Sequence, residues 1–171
     1  MNIFLLADHP VDAAQMQCNK HVVKMPTENA QILCSVFWQH NIPAPYKLTH
    51  NNHPCNIFAR RSSANFDWVV THGLALCYEY TYRYQKVHKS QAVIEWCQAN
   101  KRLLSFSESD LTAFPIAIAE DKICRKHPDF NSADAVHKYR LFYIYDKPFA
   151  KWTKREAPMW FSGHNKMKFY D

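Results

Sequence analysis

Ala64-Asn65-Phe66-Asp67-Trp68-Val69-Val70-Thr71-His72-Gly73-Leu74-Ala75-Leu76-Cys77-Tyr78-Glu79-Tyr80-Thr81-Tyr82-Arg83-Tyr84-Gln85 is the stretch that decides the fold. Its apolar positions Phe66, Val69, Val70, Leu74, Cys77 and Tyr80 recur near the helical period. Ser62 or Ser63 stands where a helix cap belongs. Only 2 of the 171 residues are glycine. That scarcity disfavours Gly-rich phosphate loops, tight hairpins and dinucleotide folds, which need positive φ. The expectation is a mainly α, compact single-domain helical fold over residues 1–171, with turns built from Pro, Asn and Asp.

Working outward, Asn2–Leu6 is a short apolar segment, either a strand or an extended piece tucked into the core. Asp8 or His9 precedes Pro10 as a cap. A helix is expected from Pro10 to about Lys24, with Pro26 kinking or ending it. Thr27 opens a second helix that stops before Pro43-Ala44-Pro45. Pro54 begins a short helix through Arg60. Ser90 caps a helix from Gln91 to Asn100. Lys101 to Asn131 is a long irregular connection anchored by the apolar Thr112–Ala119. Ser132 caps a last helix to about Tyr145. Residues 146–171 form an aromatic-basic C-terminal tail packed on the rest, with Trp152, Trp160, Phe161, Phe169 and Tyr170 among six cations, Lys147 to Lys168.

Hydrophobic residues make up 47% and charged residues 21%, a balance typical of a globular protein. Net charge is +6, which suits a polyanionic partner. The six cysteines are evenly spread with no CxxC spacing. They read as reduced core thiols in a cytoplasm. No apolar run is long enough to span a membrane, so no membrane partner is expected. P-loop, GxGxxG, GxSxG and HExxH motifs are absent, which disfavours the enzyme classes that use them.

The end of the longest helix and its exit, Tyr78 to Ser90, carries four tyrosines and the cations Arg83, Lys86, His88 and Lys89. Aromatic planes interleaved with cations suit phosphate-plus-base recognition. Glu79 and Arg83 are spaced as a helical ion pair. If the helix continues through Pro26, then His21, Lys24 and Glu28 share one face. Such a row suits acid–base work or phosphate binding. The plainer alternative is a solvated face with Glu28 as a cap. The polar loop Thr49 to Cys55 holds His50 and His53. With Cys18 and His21 these are candidates for a zinc set, though the expectation is that no metal and no cofactor is used.

At Asn19-Lys20-His21-Val22-Val23-Lys24-Met25, Thr49-His50-Asn51-Asn52-His53-Pro54-Cys55 and Tyr80 to Ser90, the chain resembles a group of small tailed-phage proteins. It is more distantly similar to the pyrimidine-dimer DNA glycosylases of the phage endonuclease V type. The ending Pro158-Met159-Trp160-Phe161 and Lys168-Phe169-Tyr170 carries that second likeness. The resemblance implies a small, basic, all-helical fold with a short N-terminal segment and an early catalytic helix. It also implies an amine, exposed at the N-terminus by Met removal, that attacks the sugar C1′ beside a catalytic Glu. Here Met1 is followed by the bulky Asn2, which disfavours Met removal. The early-helix position is His21, with Glu28 further on. The fold therefore carries over while the lyase chemistry does not follow automatically.

Together these features predict a protein that binds DNA or a nucleotide, acting in the host cytoplasm if phage-encoded. Its sharper form is a glycosylase-like enzyme with Glu28 or Glu79 as acid/base and His21 beside them. His50, His53, Tyr82 and His88 contact the ligand, and Lys24, Arg60, Arg83, Lys86 and Lys89 hold phosphates. Lys20, Lys24 or the N-terminus would supply an amine. Alternatives are a nucleotide-sequestering protein without catalysis and a zinc-stabilised interaction module. The expected site has Tyr78–Ser90 as one wall, His21–Glu28 as the other, and the His50–His53 loop as its lip.

Overall fold

The computed structural model describes residues 1–162, and the fold is mainly helical. The helices are α1 (Pro10–Gln15), α2 (Asn19–Gln39), α3 (Pro54–Arg61), α4 (Ser63–Tyr84), α5 (Gln91–Asn100), α6 (Ala135–Asp146) and α7 (Met159–Ser162). Lys101–Leu103 and Ile123–Lys126 are short 3₁₀ turns. No strand forms among the described residues; Ser62 and Glu108 make one isolated bridge.

α4 is the axis of the fold and packs against α1, α2, α3 and α5. Its buried face, with Phe66, Val69, Leu76 and Cys77 fully enclosed, follows the apolar period of the sequence. Ser62 caps it by accepting the Asn65 N–H at 3.0 Å. At the other end Gln85 adopts a left-handed conformation (φ 56°) and donates its N–H to Thr81 O. That closes the last turn without the glycine usually used there.

The chain departs from expectation at Pro26. The first helix stops at Gln15, and α2 then continues past the proline to Gln39 without ending there. An internal proline costs about 3 kcal/mol. On its two sides Val22, Met25, Ile32, Leu33 and Phe37 are at most 1% exposed. Each such burial stabilises by about 1.5–3 kcal/mol, so packing against α3, α4 and α5 outweighs the proline. His21, Lys24 and Glu28 are thereby held on one continuous helix.

Gln17 marks the break before α2 and belongs to a buried polar chain. Asn29 donates through Nδ2 to Met25 O, which leaves its Oδ1 to accept from His72 Nδ1–H at 3.1 Å. His72 Nε2 must then accept from Gln17 Nε2 (3.1 Å), which also donates to Ile3 O. His72 is fully buried, and burial pushes its pKa down to about 3. It is a neutral imidazole with a fixed tautomer.

The N-terminal segment is extended and buried: Asn2, Ile3, Phe4, Leu5 and Leu6 are at most 7% exposed. Its amide side chain organises it. Asn2 Oδ1 accepts the N–H groups of Ile3 and Phe4, and Nδ2 donates to Ala117 O at 2.8 Å. Phe4 is held at a positive φ of 46°. Such a conformation is strained for an aromatic residue and directs attention to its surroundings. α6 begins two residues later than Ser132 suggested, because Asp134 rather than Ser132 caps it, accepting the His137 N–H at 2.7 Å.

The segment after α6 folds back over the start of α2. Lys151 O accepts the Asn19 N–H, Asn19 pairs with Thr153, and Trp152 Nε1 donates to Met16 O. Lys166, Lys168, Phe169 and Tyr170 lie outside the described residues.

Candidate active site

α2 and the N-terminal segment together line a cavity of about 350 Å³, bordered by Asn2, Phe4, His21, Lys24, Glu28 and Lys147 among others. Among its lining residues is Glu28, whose carboxylate is 10% exposed. Its Oε2 accepts the Asn2 N–H at 2.8 Å and lies 3.9 Å from the Met1 ammonium. Its Oε1 is 3.0 Å from Lys24 Nζ, one turn back on α2. A carboxylate and a terminal amine are thus side by side, at the edge of a cavity with apolar and cationic walls.

His21 stands one turn further back on the same face. Its ring stacks on Phe4 with centroids 4.1 Å apart and an interplanar angle of 15°. Its Nδ1 is hydrogen-bonded to the hydroxyl of the fully buried Tyr143. Burial, with Lys147 and Lys24 nearby, lowers the His21 pKa to about 3. The imidazole is neutral at physiological pH and cannot act as a cationic phosphate ligand.

Lys20 approaches the Phe149 ring at 4.5 Å, and Lys147 approaches Phe142 at 4.0 Å. Burial lowers the Lys147 pKa. The Met1 amine and Glu28 are also near enough to His53 to act on its charge. Burial is the leading cause of that residue's lowered pKa, followed by the N-terminal ammonium. His53 Nδ1 accepts the Cys55 N–H and caps α3. His50, at a positive φ of 48°, is exposed and bonds to Thr49 Oγ1.

The second expected wall lies elsewhere. Glu79 and Tyr82 line a separate groove of about 430 Å³, with Val11, Gln15, Leu74, Tyr78 and Arg155. It shares no lining residue with the Glu28 cavity. Glu79 is 2% exposed and gripped by two guanidinium groups. Arg83 Nε donates to Oε1 at 2.7 Å, and Arg155 makes a two-point contact at 2.6 and 2.8 Å. Arg83, expected to hold phosphate, is buried and gives its remaining donors to Asn19 Oδ1 and Gln15 O. Glu79, expected as an acid/base, is the counter-ion that makes this junction possible. The i, i+4 pair anticipated from the sequence is present, but it is a staple between α4, α1, α2 and the C-terminal segment.

Three other expected ligand contacts are also internal. Arg60 donates to Asn51 O and Oδ1 and pins the polar loop. His88 accepts the Ser90 N–H at Nδ1 and donates from Nε2 to Val23 O, so both nitrogens are used. Tyr82 donates its hydroxyl to Lys154 O, with Arg155 over its ring at 5.0 Å. Lys86 and Lys89 remain exposed. The His88–Val23 contact sets their loop beside α2, next to Thr27, whose hydroxyl meets that of Ser90 at 3.1 Å. Cys18, His21, His50 and His53 do not assemble a zinc set; no three His, Cys, Asp or Glu side chains group as metal ligands among the described residues. All six thiols are buried and unbridged.

Sequence reading passed over Lys147, Phe142, Phe149 and the backbone N–H of Asn2 as parts of the site. Lys147 is more than a hundred residues from Glu28 in the chain. Its one local signal was position: a cation just past the end of α6, followed by Pro148.

Over residues 1–92 the chain matches the family model of the pyrimidine dimer DNA glycosylases. The matched span covers just over half of the 171 residues and includes Asn2, His21, Glu28 and Glu79. The chain belongs to that family. No curated protein and no solved structure matches it.

Proposed function

We propose that the protein is a glycosylase-type enzyme that acts on DNA, with Glu28 and the N-terminal amine as its reactive pair. One observation carries this reading: the Glu28 carboxylate is paired with the N-terminal backbone inside a cavity, 2.8 Å from Asn2 N and 3.9 Å from the Met1 amine. Family membership supports DNA as the partner. The amine is that of Met1, or of Asn2 if Met1 is removed; either lies within reach of the same carboxylate oxygen.

The chemistry follows from the pair. The deprotonated amine adds its lone pair to C1′ of an extrahelical nucleotide. The bond from C1′ to the base nitrogen breaks, and the base leaves with that electron pair and takes up a proton. The added amine loses a proton, its lone pair expels the ring oxygen O4′, which leaves with the C1′–O4′ electrons and takes up a proton, and the resulting protonated imine at C1′ acidifies the C2′ hydrogens. Glu28 removes one of them in this scheme, and the 3′ phosphate departs with the C3′–O electrons. Phe4, Phe142 and Phe149 exclude water from this centre, and Lys20 and Lys24 at the rim meet the DNA backbone. Lys86 and Lys89, exposed on the loop that His88 ties to Val23 O, add cationic surface beside α2. No helix among the described residues is long and apolar enough to cross a membrane.

Borohydride reduction in the presence of an abasic-site oligonucleotide tests the reading. A covalent adduct whose mass maps to the N-terminal peptide supports it. Absence of both adduct and strand cleavage overturns it.

A further inference from the structure

The groove beside Glu79 takes no part in the chemistry proposed for Glu28, yet at about 430 Å³ it is the larger of the two hollows. Residues of α1, α4, α5 and the C-terminal segment line it. Tyr78 and Tyr82 stand one turn apart on α4 and remain 57% and 48% exposed. The Tyr82 hydroxyl is tied to Lys154 O, but that of Tyr78 has no partner among the described residues. Val11, Leu74 and Ala75 give the groove an apolar lining next to these rings. The fold has claimed Arg83 and His88 from the run Tyr78–Ser90 and left its tyrosines facing solvent.

The charges at this groove do not balance. Glu79 is the one carboxylate among its described lining residues, and both of its oxygens are taken. Two guanidinium groups against one carboxylate leave one positive charge in excess. Arg155 spends Nε and Nη2 on Glu79, and its Nη1 has no partner among the described residues. The side chain is partly exposed, so this donor is open to a ligand. Gln15 and Gln98 line the same groove with carboxamides that no described residue bonds. An aromatic shelf, a spare guanidinium donor and free carboxamides complement a base that carries a phosphate. Any base can stack on a tyrosine, guanidinium suits phosphate, and a carboxamide pairs with N6 and N7 of adenine.

We infer that this groove is a second ligand site, which binds a free adenine nucleotide with the base against Tyr78 and the phosphate on Arg155. Gln15 and Gln98 read the edge of the base. One excess positive charge matches a monophosphate better than a polyphosphate. The site is separate from the Glu28 cavity, shares no lining residue with it and does not depend on the chemistry proposed there.

The test is calorimetric titration of the full chain with adenosine monophosphate, and with adenosine to isolate the phosphate. The nucleotide should bind one to one and about tenfold more tightly than the nucleoside, the scale of a charge-assisted hydrogen bond. Tyr78→Ala should weaken nucleotide binding by about tenfold, the scale of one lost stack, and Tyr78→Phe should bind within about threefold of wild type. Arg155→Lys keeps a cation beside Glu79 but loses the fork, and should bring the nucleotide down to the affinity of adenosine. Gln98→Ala, an exposed position, replaces that variant should it fail to fold by near-ultraviolet circular dichroism, and should weaken binding by about threefold or more. Absence of nucleotide binding, or equal binding by wild type and Tyr78→Ala, overturns the inference. Displacement of the nucleotide by abasic duplex also overturns it, since that places the nucleotide in the Glu28 cavity. A short adenine oligonucleotide that binds more tightly than the monophosphate in a Tyr78-dependent way overturns the free nucleotide as ligand.

Discussion

Glu28 and Glu79 are built from the same parts and set in opposite surroundings. Each is a carboxylate on a long helix with a cation one turn away, Lys24 for one and Arg83 for the other. Glu79 is sealed at 2% exposure, and its two oxygens face guanidinium forks from two separate segments. Glu28 faces a cavity, and its partners are amines and a backbone N–H. Guanidinium groups fix a geometry bidentately and do not give up a proton near neutral pH. Amines do both jobs less rigidly and can become nucleophiles. The choice of cation separates a structural rivet from the proposed reactive centre more clearly than the carboxylate does.

The largest expected effects separate the two sites. Glu28→Gln should lower the rate of adduct formation by about 10²–10⁴-fold, the usual range for a general acid–base group. Its unfolding midpoint should stay near that of wild type. Unchanged trapping would remove Glu28 from the chemistry. Glu79→Gln should do the reverse: truncating one member of a buried ion pair costs about 3–5 kcal/mol. Because Arg155 is about one-third exposed, the lower end of that range applies. Urea denaturation measures it, and a stable Glu79→Gln protein without activity would erase the contrast between the sites.

An intermediate effect concerns pH. His72 and His21 are held neutral, with folded pKa values of about 3 against an ordinary value of 6.5. The unfolded chain binds these protons first. Stability is therefore full above pH 6.5 and falls as the pH drops from there towards about 3. Each fully shifted histidine contributes up to about 1.4 kcal/mol per pH unit in that window. Denaturation at pH 7 and pH 5 should show the loss, and His72→Asn should flatten it. A pH-independent midpoint over that range would contradict the buried neutral assignment.

The smallest expected effect on stability is that of Lys24→Ala. Its side chain is 69% exposed, and the pair with Glu28 should be worth less than about 1 kcal/mol. The variant should nevertheless bind abasic duplex more weakly, with a salt dependence shallower by about one counterion. A large drop in unfolding temperature would show that Lys24 serves the fold as Arg83 does.

Much of the helical layout was legible from local chemistry. The apolar period of α4, the Ser62 cap and the bounds of α5 all depend on neighbours close in sequence. Pro26 misled because its cost is local while the packing that overrides it comes from three other helices. The face carrying His21, Lys24 and Glu28 could be stated only on the condition that the helix continued. The run Tyr78–Ser90 has a composition that suits ligand binding, yet Arg83, His88 and Tyr82 spend their polar atoms on Asn19, Val23 and Lys154. Composition reports which groups are available and not which partners claim them. Lys147 and Asn2 reach the cavity only through long-range closure, which has no period to detect.

The placement of Asn2 also bears on how the molecule is made. Its side chain is anchored to Ala117, Leu6 accepts from Arg140, and Met16 accepts from Trp152. A ribosome delivers the first residues long before these partners exist. At about 5–20 residues per second, the apolar Ile3–Leu6 waits on the order of ten seconds for its binding surfaces. A nascent or prematurely terminated chain thus carries Glu28 and the amine without the closure that brings them together.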